Sequence, residues 1–183
     1  MNEPATWSED GAVLTICTDL ETDFWRRTHY GFVHDNGHVR CQTVSGDFVA
    51  TVAFDADYSA LYDQAGLMVR VDAEHWLKTG IEFVGGHCWI SAVVTLDHSD
   101  WTAFRLAEAS ELVHLQVKRR ASAYEILWSL DGEQFQMLRL GHLPDSGSAM
   151  VGPMACSPSR AGFEARFHDF RCVRLDPDQP FGQ

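Results

Sequence analysis

Trp76 to Val84 reads WLKTGIEFV, and its two faces differ in kind. A strand sends alternate side chains to opposite sides, so Leu77, Thr79, Ile81 and Phe83 share one face while Trp76, Lys78, Gly80 and Glu82 share the other. The first row is core material, and the second is polar with a large ring at one end. The same parity in the preceding run, Ala65 to Val71 (AGLMVRV), sets Ala65, Leu67 and Val69 against Gln64, Gly66, Met68 and Arg70. Asp72-Ala73-Glu74-His75 between the two runs predicts a hairpin, and Cys88 to Leu96 (CWISAVVTL) predicts a third neighbouring strand.

Outward from this hairpin the chain repeats the pattern. Ala12 to Thr18 is a first expected strand. Thr28 to Val33 runs into His34-Asp35-Asn36-Gly37, whose Asn-Gly predicts a tight hairpin returning through His38 to Thr43. Asp47 to Phe54 alternates cleanly, and Tyr58 to Gln64 reads as a short helical turn. Leu112 to Arg119 with Tyr124 to Leu130 predicts another hairpin, and Asp131-Gly132 turns the chain toward Phe135 to Leu140. Met150 to Cys156 and Phe163 to Val173 close the pattern, with no internal repeat. About a dozen strands with almost no helical periodicity must bury their apolar faces against another sheet or against themselves. The expected fold is all-β, a two-sheet antiparallel β-sandwich of jelly-roll type, with a closed barrel as the alternative. One domain over residues 1–183 is expected, with its core at about 12–174 and a flexible tail over 175–183.

Composition removes several function classes. Fourteen basic against 26 acidic side chains give a net charge of −12, a field that repels phosphate backbones and anionic lipid. Neither nucleic acid nor membrane is expected as a partner. No apolar run approaches the roughly 20 residues of a membrane helix, and MNEPATWSEDG lacks the basic start and apolar middle of a signal peptide, so a cytoplasmic location is expected. Cys17, Cys41, Cys88, Cys156 and Cys172 are odd in number, scattered and free of any C-x-x-C pair, which predicts free thiols acting as small hydrophobes rather than a zinc site or disulfides. No metal or other cofactor is expected.

The polar row is the candidate site. Gln64 and Arg70 beside Lys78 and Glu82, with Trp76 nearby, would form a polar groove on one sheet face. Amide and charged groups pair with vicinal hydroxyls while aromatic rings stack on the apolar face of a sugar, so the groove suits a small neutral carbohydrate. Trp101, in the expected loop His98-Ser99-Asp100-Trp101, is the candidate stacking ring. Glycoside cleavage commonly uses paired carboxylates, but Glu82 has no second acid on its strand and no E-x-D-x-(x)-E run exists. Asp55 and Asp57 read as turn residues. His29, His34 and His38 surround the expected Asn-Gly hairpin, as ordinary polar or core histidines or as a metal pair. No G-x-S-x-G, P-loop or dinucleotide fingerprint is present.

Several stretches together resemble one family: DFWRRTHYGF (23–32), DNGH (35–38), YDQAGLMVRV (62–71), WLKTGIEF (76–83), SDW (99–101), the SLDG turn after Tyr124, and VGPMACSPSRAGFEARFHDF (151–170). The chain resembles the "regulation of enolase"-type family of fungal and small bacterial proteins, whose fold is similar to concanavalin A-like lectins and glucanases and to an accessory sandwich of some xylosidases. It departs from the family at Asp97-His98, where an Asn-Gly-Tyr-like turn is usual, and at Trp128, where Tyr or Phe is usual. The resemblance implies that His29, Tyr30, His38, Gln64, Lys78, Glu82, Asp100 and Trp101 are its characteristic polar and aromatic positions. Three functions are expected to compete: a lectin-like domain binding a small carbohydrate or sugar-derived metabolite on a concave sheet face; an isomerase, lyase or hydrolase acting on a sugar derivative, with Glu82 and Lys78 as catalytic candidates; and a protein-interaction module. Pairing of sandwich edges leaves a homo-oligomer open.

Overall fold

The computed structural model describes residues 1–107 and 112–181. Its strands are β1 (Thr6–Asp10), β2 (Val13–Cys17), β3 (Phe24–Arg26), β4 (Val33–Asp35), β5 (His38–Val39), β6 (Gln42–Ser45) and β7 (Phe48–Ala56). Then follow β8 (Gln64–Arg70), β9 (His75–Val84), β10 (His87–Leu96), β11 (His98–Arg105), β12 (Val113–Arg120), β13 (Ala123–Ser129), β14 (Gln136–His142), β15 (Ser148–Cys156) and β16 (Glu164–Arg174). Among the described residues there is no helix, and so none long and apolar enough to cross a membrane.

Two antiparallel sheets form an all-β sandwich. One runs β1-β2-β16-β7-β12-β13-β14, and the other runs β11-β10-β9-β8-β15-β5 with β6 also on β15. The apolar rows face inward: Leu67, Val69, Leu77 and Ile81 of the second sheet pack against Phe48, Val52, Phe54 and Phe167 of the first. Each such fully buried side chain contributes roughly 1.5–3 kcal/mol. At the centre of the second sheet β8 and β9 approach closely through facing glycines. A Cβ on Gly66 would lie 1.9 Å from the Thr79 carbonyl oxygen, and one on Gly80 would lie 2.0 Å from that of Ala65.

The outer face of this second sheet carries a further layer, the β3–β4 ribbon. Phe24 is fully buried there among Val39, Met68, Trp76, Val93 and Met154, a second and smaller apolar cluster. Three cations hold the ribbon and its approach to the sheet through ion pairs. Arg70 grips Asp35 through two bonds of 2.6 and 2.7 Å, Arg26 reaches Glu74 at 2.9 Å and Asp97 at 3.1 Å, and Lys78 meets Asp23 at 3.3 Å. All three cations are buried, so each acid compensates a charge that would otherwise sit dry.

Several local expectations are corrected. Asn36-Gly37 does not close a hairpin. Both backbone N–H groups donate to the Asp23 carbonyl and the Asn36 side chain bonds the backbone of Asp23 and Glu21, which steers the chain from the ribbon into β5. The hairpin turn lies earlier, across 27–32, where Arg27 (φ +58°) and His29 (φ +63°) take left-handed conformations, so only Val33 of the expected Thr28–Val33 strand pairs. Residues 58–63 form a turn rather than a helical one, because the Asp63 carboxylate accepts the N–H groups of Ser59 and Ala60. Trp101 is on a strand: the chain doubles back at Asp97 (φ +62°) into β11. β1 carries no alternation because all five residues are exposed, which is why no periodic signal marks it. Residues 176–181 of the expected tail lie against β12, where Lys118 and Arg120 donate to the carbonyls of Pro180, Pro177 and Gln179; residues 182 and 183 lie outside those described.

Asp35→Ala leaves the Arg70 guanidinium buried without its carboxylate. An expected loss of about 2 kcal/mol, discounted because Asp35 is partly solvated, appears as a lower urea midpoint, and Arg70→Met in the same chain restores much of it. An unchanged midpoint in Asp35→Ala refutes this account of the ribbon.

Candidate functional site

The site is built on the polar row of β9. Strand register sets Lys78 beside Met68 on β8 and Val93 on β10, with Trp101 of β11 beyond Val93, so Lys78, Val93 and Trp101 cross three strands on one face. Four residues further along β9, Glu82 lies opposite Gln64. The ribbon overhangs this face from one side. Between them opens a pocket of about 420 Å³, walled by Trp25, Tyr30 and Phe32 of the ribbon with Tyr62 and Trp101, and floored by Asp23, Lys78 and Glu82. The ribbon rings support one another: Tyr30 and Phe32 stack at 5.3 Å between centroids, and Trp25 meets Tyr30 edge-on at 5.8 Å. Trp25 is fixed further by its indole N–H, which donates to the Thr28 carbonyl at 2.9 Å.

The floor is a connected polar network. Lys78 Nζ donates to Gln64 Oε1 at 2.7 Å and to Asp23 Oδ1 at 3.3 Å, while Gln64 Nε2 donates to the Tyr62 carbonyl at 3.2 Å. Burial alone would pull the Lys78 ammonium down, but the Asp23 carboxylate beside it raises it above its ordinary value. Glu82 goes the other way. Burial, reinforced by Asp23 and opposed by Lys78 and a hydrogen bond from the Trp101 side chain, lifts its carboxyl to about 7. Cys156, also buried against this network, has its thiol pushed well up by burial. Tyr62 stands at φ +64° and its phenol is raised to about 12, first by a hydrogen bond with Tyr30 and then by burial. Beneath it, buried Asp63 holds Ser157 at 2.7 Å and Arg160 at 2.8 Å, bracing the turn that presents Tyr62.

A family model described as "Protein of unknown function (DUF1349)" matches residues 1–174. The chain belongs to that family. It is 38% identical over 170 residues to "Regulation of enolase protein 1" of Saccharomyces cerevisiae, covering 93% of this chain and 86% of the relative. A solved structure of a functionally unknown protein from Saccharomyces cerevisiae superposes with a TM-score of 0.92 at 37% identity, covering 96% and 95% of the two chains. More distant likenesses share the sandwich fold alone. A mutant of the GH43 protein BlXynB from Bacillus licheniformis gives a TM-score of 0.66 at 19% identity, with 94% of this chain lying on 35% of that one. The carbohydrate-binding module CBM66 from Bacillus subtilis gives 0.52 at 10% identity, with 91% and 90% covered.

In this DUF1349 protein Tyr30, Lys78, Glu82 and Trp101 meet at the pocket, and Gln64 lies beneath as the brace of Lys78. The other expected site residues stand elsewhere. His29 leans edge-on against Tyr30 at 4.7 Å, outside the pocket lining. His38 is a buried structural histidine: its Nε2 accepts the Asp19 backbone N–H at 3.0 Å, which leaves Nδ1 to donate to the Asn2 carbonyl at 2.6 Å. Asp100, next to Trp101 on the strand, points to the opposite face and pairs with Arg139 at 2.7 Å. Trp76 and Arg70 of the expected groove lie under the ribbon, Trp76 edge-on to Phe24 and Arg70 on Asp35. Asp23, Trp25, Phe32 and Tyr62 were not singled out as individual site residues. For Asp23 and Trp25 the signal lies in DFWRR, where the buried Phe24 between two half-buried neighbours follows strand parity, whereas Phe32 and Tyr62 lie outside the strands and carry no such signal. Among the described residues no group of His, Cys, Asp and Glu is arranged to hold a metal ion.

The raised Glu82 carboxyl ties this protein's stability to pH. Its folded value of about 7 exceeds the ordinary 4.5, so its contribution is fully present below 4.5 and is lost as pH rises through about 7. The loss has an upper bound of about 3 kcal/mol. Glu82→Gln has no such titration, so its stability relative to the native protein rises between pH 4.5 and 7; parallel unfolding curves at the two pH values contradict the assignment.

Proposed function

We propose that this protein binds a small carbohydrate or sugar-derived metabolite in the pocket between the ribbon and the second sheet. One observation carries the reading: aromatic walls from Trp25, Tyr30, Phe32, Tyr62 and Trp101 converge on a polar floor of half-buried Asp23 with buried Lys78 and Glu82 within about 420 Å³. Ring faces match the apolar C–H faces of a sugar, and carboxyl and ammonium groups match its hydroxyls. The size falls within the range of small-molecule sites. The sandwich of a carbohydrate-binding module and of a GH43 protein supports this choice of ligand, although a shared fold does not carry function by itself.

Titration calorimetry with a panel of neutral mono- and disaccharides tests it. A member of the panel is expected to bind, and Trp101→Ala is expected to weaken it at least tenfold, a loss of about 1.4 kcal/mol. Absence of binding across the panel by the folded protein, or binding indifferent to Trp101→Ala, overturns the reading.

A second reading is favoured by Glu82 alone: a buried carboxyl near 7 is poised to give or take a proton at neutral pH, the requirement for a general acid or base. On that reading the bound sugar derivative is turned over, and Glu82→Gln lowers product formation by about 100-fold or more. The name of the yeast relative supports a third role, in contact with a metabolic enzyme, for which the exposed rings of Tyr30 and Phe32 would supply apolar contact.

A further inference from the structure

We propose that the pocket selects a ligand bearing a positive charge beside its hydroxyls, an amino sugar or a similarly aminated polyol, over its neutral and phosphorylated counterparts. The inference rests on the pocket being the ligand site argued above and adds the charge class of its occupant. Three carboxyl groups line the pocket, Glu21, Asp23 and Glu82, against the single ammonium of Lys78. That ammonium is already committed: it holds Gln64 at 2.7 Å and Asp23 at 3.3 Å, inside the network that anchors the ribbon. An anionic ligand would therefore meet an excess of acid, while a cation would find a buried carboxyl at Glu82 that feels the Lys78 charge and takes a hydrogen bond from the Trp101 side chain.

The walls point the same way. Aromatic faces carry negative electrostatic potential, and rings grouped around a desolvated cation stabilise it. Here the ribbon rings are held in mutually packed positions rather than free to turn away, and Trp101 is fixed on a strand. At long range the net charge of −12 draws cations and repels phosphates. His34 of β4 also lines the pocket, while the groups facing Glu82 are Lys78 on its own strand, Asp23 from the approach to the ribbon, Gln64 across the sheet, Trp101 from β11, Tyr62 and Cys156. Of these only Lys78 is cationic. A bound ammonium would favour the ionised carboxylate, so binding near neutral pH releases a proton from Glu82 to solvent.

The experiment is calorimetry of the full chain at pH 7 with glucosamine, glucose, N-acetylglucosamine and glucose 6-phosphate, the matched galactose set, and choline as a cation without a sugar ring. Buffers of different ionisation enthalpy count the protons released. The amino sugar is expected to bind at least tenfold tighter than its neutral and acetylated counterparts, with the phosphate weakest and proton release measurable. Glu82→Gln is expected to cut that preference below about threefold and abolish the proton release, a readout that simple misfolding does not mimic when thermal unfolding stays cooperative. Neutral sugars binding as tightly as the amino sugars overturn the charge assignment while the carbohydrate reading stands. Choline binding without any sugar overturns the carbohydrate reading and keeps the cation, and no binding by any probe overturns both.

Discussion

The ion pair between Lys78 and Asp23 is the contact on which the pocket depends. Lys78 projects from the middle of a sheet on a face that the ribbon covers, so its ammonium is buried whatever binds nearby. A buried ammonium without a partner is strongly unfavourable, and the partner comes from the chain just before β3, 55 residues away in sequence. Asp23 in turn fixes where the ribbon begins, because its carbonyl accepts the N–H groups of Asn36 and Gly37 at the ribbon's far end. One residue thereby receives both ends of the β3–β4 unit and joins them to the sheet floor.

The ribbon position decides the chemistry. At one end Phe24, Met68 and Trp76 fill the sheet face with apolar side chains and leave no groove. At the other end the face stays open beneath Trp25, Tyr30 and Phe32, and there the sheet presents Lys78 and Glu82. The same burial that stabilises the ribbon desolvates Glu82 and raises its carboxyl toward neutrality. The packing of the cover and the acidity of the floor are thus two results of one arrangement, with Asp23 contributing to both.

The hairpin of β8 and β9 was legible because period-two alternation is a local property. Leu77 and Ile81 announce a core face wherever their sheet ends up, and the residues between them must then face the other way. That parity picks out Gln64, Lys78 and Glu82, and Trp101 lies on the same face, on a strand where the sequence predicts a loop. Asp100 shows the limit: the resemblance groups it with Trp101, but adjacent strand residues diverge, and its carboxylate leaves for Arg139 on the other sheet. His38 shows another, since a histidine buried between two backbone partners looks in sequence like one waiting for a ligand.

What the sequence alone determined is the all-β class, the inward row of each main strand and the polar composition of one sheet face, since each follows from spacing within a few residues. The tertiary structure alone decided that 23–35 folds as a ribbon over that face and that Asn36-Gly37 leaves the ribbon instead of turning it. It also decided that Asp23 and Tyr62 join Lys78 and Glu82. The reason is range: these outcomes depend on buried charges finding partners tens of residues away, and such pairing leaves no periodic trace in the chain.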